Sequence, residues 1–169
     1  MKIKKQTRSQ EIKTKARRSL KQKMTKQKRN YVADTSVIIN KFLPGLIRRG
    51  LKGKIIIPNA VIAELENLAN KGKEEGFTGL EEITKLHNFR QIKIHFQGLR
   101  PTESQIKYAR SGEIDALIRK IAKNNRAILV TADLVQAKSA QAYGIQVIFL
   151  RAKSKGDKKK RSFFSFLKR

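Results

Sequence analysis

The chain predicts an α/β fold: a parallel β-sheet with helices on both faces. Three observations lead there. Short apolar runs such as IIIP (55–58) and AILV (127–130) lack the polar alternation of a half-solvated strand, so they read as strands covered on both sides. Segments of helical periodicity alternate with them along the chain. Turn residues, among them Gly50, Pro58, Gly72 and Gly144, punctuate the boundaries.

In order, residues 1–29 form a polar, basic arm with scattered Ile3, Ile12, Leu20 and Met24. YVADT (31–35) is the first buried strand, and residues 36–50 a helix broken near Pro44 and stopped by Gly50. KIIIP (54–58) is the second strand. Residues 59–71 form a helix capped by Asn59, with Val61, Leu65, Leu68 and Ala69 on one face. Gly72, Gly76 and Gly79 predict a turn before a helix over about 79–89. QIKIHF (91–96) alternates as an edge strand does. A short helix runs from Thr102 to about Arg110, and EIDALIRKIAKN (113–124) is amphipathic. AILVT (127–131) is a strand, DLVQAKSAQAYG (133–144) a helix with Val135, Ser139 and Ala142 inward, and IQVIFL (145–150) the last strand.

Charge is unevenly spread. The net charge is +27, of which residues 1–30 carry +12 and residues 151–169 carry +8. Such blocks predict flexible arms that neutralise a polyanion, nucleic acid before an anionic membrane surface. The phosphate-binding residues expected there are Arg17, Arg18, Lys28 and Arg29 in the first arm. In the tail (152–169) they are Lys155, Lys158, Lys159, Lys160 and Arg161. There is no cysteine, so thiolate metal sites are excluded, and the two histidines, His87 and His95, read as surface residues, so a zinc site built on imidazole is not expected. No apolar run approaches the ~20 residues of a membrane span, and no secretory signal opens the chain. The expected location is cytoplasmic. FFSFL (163–167) admits three readings: a membrane-surface anchor, a base-stacking patch, or a segment docking on a protein partner.

Four acids stand beside apolar residues: Asp34 in YVADTSVII, Glu64 in AVIAELE, Asp115 in GEIDALI and Asp133 in ILVTADL. A carboxylate in such a setting is costly unless paired, hydrogen-bonded or bound to a cation. No Lys or Arg adjoins Asp34, Glu64 or Asp133 in the sequence. Ligands of open α/β sheets gather beyond the carboxyl ends of the strands, which is where Asp34 and Asp133 fall. Four carboxylates meeting there suit Mg²⁺ or Mn²⁺, with which water can be activated against a phosphodiester. Thr35, Ser36 and Thr131 are neighbouring hydroxyls for support, and Glu113 is a fourth polar candidate. Helix capping is the plainer reading of Asp34 and Asp133, dipole complementation that of Glu113, and solvation that of Arg119 and Lys120. Glu66 competes with Glu64 for the edge of its helix stripe.

The order D-T-S after a first strand, A-x-x-A-E-L-E on a helix, G-E-I-D-A-L, then V-T-A-D-x-V-Q-A resembles the PIN domain over about residues 30–150. It is most similar to the PIN domains heading archaeal proteins that continue into an ATPase and a KH module. The resemblance implies a PIN-like three-layer α/β/α sandwich around a central parallel sheet. It also implies a Mg²⁺- or Mn²⁺-dependent ribonuclease, with Asp34, Glu64, Asp115 and Asp133 as metal-ligand or catalytic residues. RNA, structured RNA included, is the implied partner, and a homodimer follows from the likeness. The domain is bounded at 30–151. Two features depart from the pattern: a basic tail stands where the ATPase and KH parts would follow, and the N-terminal arm is long. The rival functions are a non-catalytic RNA-binding or ribosome-associated module, and the toxin nuclease of a toxin–antitoxin pair.

Overall fold

The computed structural model describes residues 29–108 and 112–151. The arm residues Arg17, Arg18 and Lys28, the tail residues Lys155, Lys158, Lys159, Lys160 and Arg161, and the segment 163–167 lie outside them. Five strands form one parallel sheet: β1 (Arg29–Ala33), β2 (Gly53–Pro58), β3 (Ile92–Gln97), β4 (Ile128–Thr131) and β5 (Val147–Phe149). Their order is β3-β2-β1-β4-β5, so the chain winds outward one way from β1 and then the other. Tyr31 pairs with Ile55 on one side of β1 and with Ile128 on the other. The winding direction reverses between β1 and β4, and at such a switch point the carboxyl ends of an open sheet leave a crevice.

Helices flank this sheet: α1 (Thr35–Ile39), α2 (Phe42–Arg48), α3 (Asn59–Asn70), α4 (Glu74–Leu86), α5 (Glu103–Tyr108), α6 (Glu113–Asn124) and α7 (Leu134–Ala142). Central-strand residues Val32, Ile55, Ile56 and Leu129 are fully buried. They share one apolar core with Ile38, Leu65, Leu86 and Ile118 from the helices. That is the arrangement the unbroken apolar runs predict. β3 lies at the sheet's edge, and its exposed Lys93 and His95 fit its alternating pattern.

Several local expectations are corrected. The first helical region breaks at Asn40–Lys41, where Lys41 takes φ 55°, and not at Pro44. Pro44 sits in the first turn of α2, where its missing N–H costs nothing. Asn59 does not cap α3: its side chain donates to the Gly98 carbonyl at 2.7 Å, fastening the loop after β3. Arg100 pairs with Glu66 and holds the same loop to α3. α4 starts at Glu74, so Gly76 and Gly79 lie inside it, buried against α3. On α7 the buried residues are Gln136, Ala137 and Ala140, while Val135 is 72% exposed. The cap at Asp133 sets the phase of that helix, and it turns Val135 and Ala142 outward. β1 begins at Arg29, a residue expected in the arm.

Glu82 on α4 is an acid the sequence did not single out. It is buried, and its Oε1 has no hydrogen-bond partner among the described residues. Burial pushes its carboxyl above the ordinary value of 4.5, partly countered by Lys85, Lys41 and Arg48. Because the folded pKa lies above the unfolded one, ionisation is harder in the fold. The penalty is absent below pH 4.5 and grows as pH rises through the folded value. Glu82→Gln is therefore expected to stabilise the domain by about 1 kcal/mol at pH 8 and to leave it unchanged near pH 4. Urea unfolding at the two pH values measures the difference.

Candidate functional site

The crevice at the switch point is built from the ends of β1 and β4. The Asp34 amide donates to the Val130 carbonyl at 3.0 Å, extending the β1–β4 ladder past the last residue of β1 and fixing where the carboxylate emerges. Asp34 is 4% exposed. Its Oδ1 accepts from the Thr35 amide at 2.9 Å, which caps α1. Its Oδ2 accepts from the hydroxyls of Ser36 and Thr131, both at 2.6 Å. The helix cap, the plainer reading of this residue, is present, and the same carboxylate also gathers the two hydroxyls. Ser36 also accepts from the Ala132 amide at 2.8 Å, so the hydroxyls knit α1 to the end of β4.

Glu64 reaches the same place from α3. Its Oε2 accepts from the Thr35 hydroxyl at 2.6 Å, whereas Glu66 is taken by Arg100. The ambiguity between these two acids is thereby resolved in position: Glu64 faces the crevice. Its carboxyl is pushed up chiefly by burial, and further by the charges of Asp34 and Asp115, while the Thr35 hydroxyl pulls it down. Asp115 is half-buried in the first turn of α6. Burial raises its pKa first, then Asp34 and Asp133, with Arg119 acting against them. Glu64 and Asp115 thus both feel the charge of Asp34. Asp133 is exposed at the head of α7, where its Oδ1 accepts from the amides of Val135 at 2.6 Å and Gln136 at 3.0 Å.

Two residues of this network went unread in the sequence. Gln136 is fully buried; it donates to the Asp115 carbonyl at 3.2 Å and accepts from Arg119 at 2.5 Å. It ties α7 to α6, and with them Asp133 to Asp115. Asp133 and Gln136 stand three apart at a helix start, the spacing of a capping pair, which was the available signal. Arg119 is half-buried and engaged rather than simply solvated. Glu113 is exposed in the first turn of α6 and, among the described residues, joins none of these hydrogen bonds.

All donors here are carboxylate and hydroxyl oxygens, the set that hard divalent cations take. An ion would also relieve the repulsion that raises Glu64 and Asp115. Among the described residues, no three acidic or histidine side chains are drawn closely enough together to share one ion. The donor chemistry, oxygen atoms alone, is of the kind such an ion takes.

Comparison with known proteins agrees with this architecture. The family model "PIN domain" matches residues 31–142. The chain is 49% identical, over 127 residues, to an uncharacterized KH- and PIN-domain-containing protein of Methanocaldococcus jannaschii. That match covers 70% of this chain and 19% of the relative, so the chain spans about a fifth of the relative's length. A solved domain of a functionally unknown protein from the same organism superposes with a TM-score of 0.71 at 42% identity, covering 79% of this chain and 99% of that one. PIN domains are generally nucleases that use divalent metal ions. No helix among the described residues is long and apolar enough to cross a membrane. With the family model matching well over half of its length, the chain belongs to the PIN-domain family.

Proposed function

We propose that this domain is a Mg²⁺- or Mn²⁺-dependent endoribonuclease, with Asp34, Glu64, Asp115 and Asp133 as its acidic centre. The observation that carries this reading is electrostatic. Asp34 and Glu64 meet at the β1/β4 switch point through Thr35, and the charge of Asp34 acts on both Glu64 and Asp115. Asp34 would be the fixed member, since three donors hold its two oxygens. Glu64, Asp115 and Asp133 would close on the cation from α3, α6 and α7. When bound, the ion would supply an activated water and charge stabilisation at the phosphodiester. Thr35 would hold Glu64 in its ionised form by donating to it.

RNA is the substrate class favoured by the net charge of +27 and by the name of the M. jannaschii relative, which pairs PIN with KH; KH modules clamp nucleic-acid backbone. The test is cleavage of a mixed structured and single-stranded RNA pool with added Mg²⁺ or Mn²⁺, with EDTA, and with Asp115→Asn. Cleavage that EDTA and Asp115→Asn both abolish supports the proposal; cleavage indifferent to both overturns it. The spacing of the acids favours one alternative, a non-catalytic RNA-binding module. RNA bound tightly without metal-dependent turnover would select it.

A further inference from the structure

An aromatic ring and two cations lie together on the surface of α6 and α7, at the end of α7 opposite Asp133. Tyr143, at the C-terminal end of α7, is 62% exposed. The Arg119 guanidinium stands 5.8 Å from its ring centroid and the Lys123 ammonium 5.9 Å. Asp115, Arg119 and Lys123 follow at intervals of four along α6, so they form a stripe with a rise of about 6 Å per step. The stripe begins at the crevice and ends under the ring. Arg119 is fastened to it through Gln136, which in turn holds the backbone of Asp115.

We propose that Tyr143, Arg119 and Lys123 form a nucleotide-binding platform for single-stranded RNA, one that leads the strand to the acidic centre. This rests on the nuclease reading of the carboxylates at the crevice. Those carboxylates repel a phosphate backbone, so an incoming strand needs positive charge close by to hold it. Arg119 and Lys123 supply that charge on the same helix as Asp115. An exposed ring offers every base a face on which to stack, which gives affinity without reading sequence. The order along the surface is ring, cations, carboxylates: one base rests on Tyr143 and its phosphates run along α6. An unpaired strand is required, because bases inside a duplex present no free face.

The chain contains no tryptophan, so Tyr143→Trp in the full-length protein installs a single indole reporter. It is titrated, with EDTA present, with an oligouridylate and with an abasic oligomer carrying the same number of phosphates. A fluorescently labelled copy of the oligouridylate reports total binding by anisotropy. Quenching of the indole by the oligouridylate but not by the abasic oligomer is expected. In the otherwise wild-type chain, Tyr143→Ala should weaken binding about 5- to 100-fold while Tyr143→Phe retains it. Lys123→Gln should lower the slope of log affinity against log salt by about 0.7. Bound RNA with an unquenched indole, or equal quenching by the abasic oligomer, overturns the platform and leaves the nuclease reading standing. No binding of the oligouridylate by anisotropy also overturns the platform, while cleavage of the mixed RNA pool decides the nuclease reading.

Discussion

Asp34→Asn is expected to lower metal-dependent RNA cleavage by about 10³-fold, the loss of several kcal/mol of charge stabilisation at the phosphodiester. The fold should survive. Asparagine keeps one oxygen for the Thr35 amide, and the hydroxyls of Ser36 and Thr131, which donate to the carboxylate, can accept from an amide instead. Thermal unfolding should therefore move little while activity disappears. A second signature follows from the field that Asp34 exerts. With its charge gone, the carboxyls of Glu64 and Asp115 lose one raising influence, and both should titrate at lower pH. Carboxyl-detected NMR titration of the two proteins measures this without metal or substrate. Normal cleavage by Asp34→Asn would remove this residue from the mechanism.

The largest expected effect on stability lies away from the site, at Gly76. A Cβ there would collide with the backbone of Ala69 and the carbonyl of Leu65, where α4 crosses α3. Backbone cannot step aside as a side chain can. Gly76→Ala is therefore expected to destabilise by about 3 kcal/mol, the upper range for overpacking. Gly45 supplies the contrast: it also lies within a helix, but a Cβ there meets nothing within 4 Å. Gly45→Ala should stabilise by about 0.5–1 kcal/mol, because alanine loses less backbone entropy in a helix. Chemical denaturation of both variants checks the pair, and equal effects would show that the helix crossing is looser than drawn.

The legible parts of the chain were those governed by one-dimensional rules. Apolar runs over 55–58 and 127–130 announced buried parallel strands. Asp34 and Asp133 were placed just past strand ends, and they stand there, after β1 and β4. What escaped was decided by contacts between distant segments. Gly76 and Gly79 look like turn residues until α3 is laid against them. Pro44 looks like a helix breaker, yet the break falls three residues earlier, where Lys41 takes a left-handed conformation. Asn59 looks like a cap until Gly98, 39 residues on, claims its amide. Gln136 and Arg119 looked ordinary because their partnership spans two helices, and spacing within one helix cannot reveal it.

At the acidic centre, the Asp34 carboxylate and the Thr131 hydroxyl that steadies it are 97 residues apart in sequence. During synthesis Asp34 leaves the ribosome early, yet β1 cannot pair with β4 until the chain has grown past residue 131. The polar cluster around Asp34 is thus completed only after the fourth strand is available, so it is among the last features of the domain to form.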